Sequence, residues 1–127
     1  MSLEKQDEFL AAFQIAVMEG KTTELSSLLS SDIQLSADGG GKVPTIRDTL
    51  YGKNPVLTFL SKALRGYWAG HTWELVDING ARGVVLKEEG ATVATVSFAY
   101  DRFGRATGIY IMRNPDKLTN LSAIAIH

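Results

Sequence analysis

The chain has 127 residues, 45% hydrophobic and 21% charged, enough apolar sequence for one globular domain with its own core. It has no cysteine, which excludes a disulfide framework, a thiol nucleophile and a cysteine-ligated metal. Its 13 basic and 14 acidic residues leave a net charge of −1, without the basic excess that direct nucleic-acid binding requires.

Phe9, Phe13, Ala16 and Val17 recur at helical spacing and form one apolar face of a helix from about Glu4 to Glu19. Glu4, Asp7 and Glu8 fall in its first turns, where the helix dipole favours acid, and Gly20 ends it. Thr22 or Thr23 caps a second, short helix through Leu25, Leu28 and Leu29, ended by Ser30-Ser31-Asp32. Ile33, Leu35 and Ala37 then alternate with Gln34, Ser36 and Asp38 as a strand. Gly39-Gly40-Gly41 breaks it. A second extended stretch runs from about Lys42 to Leu50, with Pro44 suited to an edge or bulge. Asn54-Pro55 predicts a helix start, with Asn as N-cap and Pro at the first helical position. The helix behind it presents Val56, Leu57, Leu60, Leu64 and Tyr67, and Gly66 and Gly70 bracket its end.

The second half reads as strand and turn. Asn79-Gly80, Glu89-Gly90 and Phe103-Gly104 separate strands at about His71–Ile78, Gly83–Lys87, Ala91–Asp101 and Arg105–Arg113. Their spacing leaves no room for crossover helices, so an antiparallel meander is expected. The fold class is α+β: three helices from the N-terminal half packed on a curved, mainly antiparallel sheet of about six strands, a cone around an apolar hollow. No apolar run approaches the roughly 18 residues of a membrane span, and Met1-Ser2-Leu3-Glu4-Lys5 is charged where a signal peptide would be apolar. The expectation is one cytoplasmic domain over 1–127, ordered from about 4 to 121, bound to no membrane.

Several residues invite a chemical reading. Asp38-Gly39-Gly40-Gly41-Lys42 offers backbone N–H groups and a cation to an anion. A phosphate loop, however, runs from its lysine into a Ser or Thr and a helix, whereas Val43-Pro44 follows here; a tight turn or docking loop fits better. His71 is the only histidine away from the terminus, which excludes a histidine metal cluster. It serves either as a general base or as a strand-end side chain bonded to a neighbour. Tyr67, Trp68, Trp73 and Tyr100 line the mouth of the hollow or belong to the core. Asp38, Asp48, Asp77, Asp101 and Asp116 all fall at strand ends or turns, so no paired carboxylates for acid–base work are visible. Asn114-Pro115-Asp116-Lys117-Leu118 is a strand-terminating turn or a recognition loop. Ala94, Val96, Phe98 and Tyr100 form one face of their strand, and Val93, Thr95, Ser97 and Ala99 form another with little charge. Ile109 and Ile111 oppose Tyr110 and Met112 in the same way. An outer face this apolar points to a second copy of the chain, a homodimer. Nothing in the sequence calls for a cofactor.

The order of elements resembles the SnoaL-like, or nuclear-transport-factor-2-like, superfamily. Asp38-Gly39-Gly40-Gly41-Lys42 and Asn114-Pro115-Asp116-Lys117-Leu118 together resemble paired signatures of the SnoaL-like C-terminal extension of extracytoplasmic-function RNA polymerase sigma factors, and Asn79-Gly80 also fits. The resemblance covers Phe9 to about Leu121. It implies a cystatin-like cone and a non-catalytic module that modulates transcription through protein contact or a small apolar ligand in its hollow. The implied partners are the sigma-factor core domains or RNA polymerase, and the two pentapeptides are the implied contact residues. The alternative is a small SnoaL-like enzyme of isomerase, cyclase or hydrolase type, for which His71 with Tyr67, Tyr100 or Tyr110 is the only set available.

Overall fold

A computed structural model describes residues 2–38, 48–68, 70–78 and 80–113, without the side chains of Leu3 and Tyr67. Helix α1 (Leu3–Glu19) starts where the Ser2 hydroxyl accepts the Lys5 N–H at 3.3 Å. It ends at Gly20, whose φ of 73° lets its N–H reach the Ala16 carbonyl at 3.0 Å. A Cβ at Gly20 would lie 3.1 Å from Arg65 Nη1. The Arg65 guanidinium thus stands at the negative end of α1, whose own last turn holds no base.

Helix α2 (Thr23–Leu28) runs directly into strand β1 (Leu29–Asp38). Ser30-Ser31-Asp32, expected to divide the two, belongs to the strand instead. Leu29, Ile33 and Leu35 are all buried, and the chain must stay extended to bury them. Between Leu29 and Gln34 the register with the neighbouring strand slips, which leaves Ser31 and Asp32 exposed. Most of the extended stretch expected from Lys42 to Leu50 lies outside the described residues; its end begins β2 (Leu50–Tyr51).

Helix α3 (Lys53–Thr58) continues through a π-helical segment (Phe59–Leu64) into α4 (Arg65–Trp68) as one rod. It starts earlier than Asn54-Pro55 suggests. Gly52, at φ 90°, is the N-cap, and Pro55 is the third helical residue. Pro55 is still in the first turn, where a backbone N–H has no acceptor within the helix, so its missing donor costs nothing. Gly66 lies inside α4 and does not end it.

Strands β3 (Thr72–Ile78), β4 (Ala81–Glu88), β5 (Ala91–Tyr100) and β6 (Ala106–Met112) form the expected antiparallel meander. The six-stranded sheet has the order β2-β1-β6-β5-β4-β3, and β1 lies parallel to β6. The helices cover its inner face. Phe9, Phe13, Val17, Leu60, Leu64 and Trp68 from the helices meet Val84, Leu86, Ala94, Val96, Phe98 and Ile109 from the strands in one core. Each buried Val, Leu, Ile or Phe among them contributes about 1.5–3 kcal/mol of hydrophobic stabilisation. On the opposite face Val85 stands beside Thr95, and Thr95 beside Met112. Val85 and Thr95 are buried yet lie outside that core.

Candidate functional site

Of the aromatic residues singled out in the sequence, Trp68, Trp73 and Tyr100 fall on the inner face, but not as one group. Phe9 and Phe13 project one turn apart from α1, their ring centroids 6.4 Å apart. Phe98 meets both edge-on, at 5.0 Å and 5.2 Å. Trp73 packs on Phe13 at 6.0 Å and on Trp68 at 6.1 Å. Tyr100 packs on Phe9 at 5.6 Å. The two tryptophans therefore stand at one end of a ring cluster and Tyr100 at the other. The side chain of Tyr67 lies outside the described residues.

Two polar atoms of this cluster, Trp73 Nε1 and the Tyr100 hydroxyl, are buried without a hydrogen-bond partner among the described residues. Desolvation of Tyr100 by burial pushes its hydroxyl pKa up from 10.0 to about 12. Buried polar groups are normally satisfied, so each of these atoms marks a place of interest.

The groups nominated for catalysis are dispersed. His71 stands at the start of β3, its N–H bonded to the Trp68 carbonyl at 3.1 Å and its Nε2 3.6 Å from Glu88 Oε2. Tyr110 lies on the outer face, 46% exposed, with its ring over Gly108, where a Cβ would come within 2.5 Å of the hydroxyl. Three strand spacings separate β6 from β3, about 14 Å. Tyr100 is at the far end of β5 from His71. Among the described residues no group of three or more His, Asp or Glu could hold a metal.

The strands that lead toward the two pentapeptides end side by side. Because β1 and β6 are parallel neighbours, Asp38 stands opposite Met112, and its carbonyl accepts the Arg113 N–H at 2.7 Å. Both chain segments therefore leave the sheet at one end, on adjacent strands. Gly39, Gly40, Gly41 and Lys42, and all of Asn114, Pro115, Asp116, Lys117 and Leu118, lie outside the described residues.

One polar cluster escaped the sequence reading. Gln6 is buried in the apolar stripe of α1, and its Oε1 accepts the Arg82 backbone N–H at 2.8 Å. Arg82 Nε lies 3.5 Å from Asp7 Oδ1. The available signal was positional: Gln6 sits three residues before Phe9 and seven before Phe13, a polar residue on the core side of the helix.

No protein-family model and no curated protein matches the sequence. Solved structures do. The extracytoplasmic-function sigma factor SigJ of Mycobacterium tuberculosis superposes with a TM-score of 0.68 at 21% identity, covering 91% of this chain and 44% of SigJ. This chain thus spans less than half of that protein. A de novo designed protein with a curved β-sheet matches over 98% of this chain and 99% of its own at a TM-score of 0.63 and 18% identity. A SnoaL-like protein from Burkholderia thailandensis matches over 87% of this chain and 96% of its own, with a TM-score of 0.58 and 16% identity. The fold is an α+β cone similar to that of these SnoaL-like and sigma-factor structures.

Proposed function

We propose that the chain is a non-catalytic regulatory module that modulates transcription by contacting sigma-factor core domains or RNA polymerase. The observation that carries this reading is the hydrogen-bonded exit of β1 and β6. It brings Asp38, where the first segment begins, beside Arg113, which precedes the second, although more than seventy residues separate the two in sequence. Each segment holds an Asp and a Lys. Exposed ion pairs contribute only about 0–1 kcal/mol to folding, so stability alone is a poor reason to hold these charges in both segments. The likeness to SigJ supports the same partner class. The enzyme reading draws less support, because His71, Tyr100 and Tyr110 stand apart. A fold by itself implies no chemistry.

A small apolar ligand in the hollow supplies the input, and a second copy covers the outer face around Tyr110. The module works in the cytoplasm, where its partners are; no helix among the described residues is long and apolar enough to cross a membrane. The test is run-off transcription by sigma core domains fused to this chain. Lys42→Ala and Asp116→Ala are expected to change transcript yield while leaving the melting temperature within about 3 °C, the usual range of surface substitutions. Unfolding by either change would make the segments structural turns, and unchanged transcription would remove them as contact residues.

A further inference from the structure

We propose that the segment following β6, from Leu118 to Ile126, docks across the outer face of the sheet and covers Thr95 and Val85. The inference stands apart from the transcription reading.

The outer face carries a row of side chains at the level where β6 ends. The strand register places Asp38, Met112, Thr95, Val85 and Glu74 next to one another, strand by strand from β1 to β3. The two ends of the row are acidic, and the Glu74 carboxylate is held by Lys87 Nζ at 3.0 Å. The middle of the row, Met112, Thr95 and Val85, carries no charge. Thr95 is only 4% exposed and Val85 3%, yet both lie outside the core that the helices build on the other face. A sheet face open to water leaves its mid-strand side chains partly exposed. Tyr110, two residues along β6 on the same face, is 46% exposed. The burial of Thr95 and Val85 calls for a cover that stops short of Tyr110.

Position and composition name the occupant. Strand β6 ends at Met112, at the edge of the uncharged stretch, and 14 residues follow Arg113. Asn114, Pro115, Asp116 and Lys117 leave room for a change of direction. Leu118 to Ile126 then holds four branched aliphatic side chains, Leu118, Leu121, Ile124 and Ile126, and no charge. Val85 is two strand spacings from Met112, about 10 Å. Nine extended residues span roughly 30 Å, so reach sets no limit. An uncharged, aliphatic segment thus leaves the sheet beside an uncharged stretch of its outer face, and docking there closes only a short loop. A separate partner would lose its free motion as well. Tyr110 is left to the second copy.

The chain has no cysteine, so introduced thiols report on this face alone. Thr95→Cys is expected to react with iodoacetamide at least about tenfold more slowly than Tyr110→Cys, because labelling must wait for the segment to open. Adding Leu121→Asp and Ile124→Asp should remove that protection, with circular dichroism unchanged and Tyr110→Cys labelled as before. A second measurement keeps the segment unaltered except for one thiol. Mild oxidation of Thr95→Cys combined in turn with Leu118→Cys, Leu121→Cys or Ile124→Cys should give a disulfide within one chain for at least one pair. These crosslinks decide the matter if the aspartate changes unfold the domain. Labelling of Thr95→Cys as fast as Tyr110→Cys would overturn the proposal. So would protection that survives the aspartate changes in a folded chain, or failure of all three pairs to crosslink. Disulfides formed only between two chains would assign the face to a second copy and overturn it as well.

Discussion

Replacing Gln6 by Met tests how α1 is fastened to the sheet. Met has nearly the length and helix propensity of Gln, so helix stability and apolar packing are held almost constant. What changes is the acceptor. Arg82 N–H, 2.8 Å from Gln6 Oε1, lies where β4 has already parted from β5. Gln6 is only 7% exposed, which leaves little access for replacement water. An unsatisfied buried N–H costs about 1–3 kcal/mol. For a domain of this size 1 kcal/mol corresponds to roughly 3–4 °C, so the melting temperature should fall by about 3–12 °C. Calorimetry reads that fall, and amide exchange at Arg82 should accelerate with it. If Gln6→Met melts like the wild type with Arg82 exchange unchanged, the polar clamp contributes nothing and the reasoning fails.

Gly83→Ala should destabilise by about 1–3 kcal/mol through overpacking. The new Cβ would stand 2.5 Å from Ile78 Cδ1 and 2.8 Å from the Val96 carbonyl oxygen, and the second is backbone. Phe13→Ala removes a fully buried ring and should cost about 3–5 kcal/mol in denaturant unfolding. The raised pKa of Tyr100 favours the neutral phenol in the folded state. Its contribution to stability is therefore complete below the unfolded pKa of 10.0 and lost as pH rises toward about 12. An ultraviolet titration should show one tyrosine ionising near pH 12 that is missing from Tyr100→Phe. On the outer face, Tyr110→Asp should dissociate a sheet-to-sheet dimer. Small-angle scattering would then give the roughly 14 Å radius of gyration of a monomer, and that same value for the wild type at all concentrations would remove the dimer.

Helix α1 was legible because Phe9, Phe13 and Val17 repeat at helical spacing and Gly20 supplies a left-handed stop. The β4–β5 hairpin was legible in Glu89-Gly90, which take φ of 52° and 81°, the two positive values that a tight hairpin turn requires. The parallel pairing of β1 with β6 was not. Strands at opposite ends of a chain share no local signal, and only closure of the sheet brings them together. The start of β1 was misread because Leu28 and Leu29 fit the apolar side of a helix and of a strand equally well. At the candidate site, the aromatic residues could be named but not ordered. Whether Trp73 and Tyr100 share one end of a hollow depends on where Phe9 and Phe13 fall between them. The parting of β4 from β5 has no composition signature, and the strand expected from Gly83 left Arg82 outside it.

The central claim is that the segments leaving β1 and β6 act on transcription together. Run-off transcription by sigma core domains fused to this chain tests it directly, comparing wild type, Lys42→Ala, Asp116→Ala and the double variant. Coupled changes in transcript yield, with the double variant no worse than the stronger single one and all four chains folded, are the predicted result. Four folded chains with equal yields would contradict it.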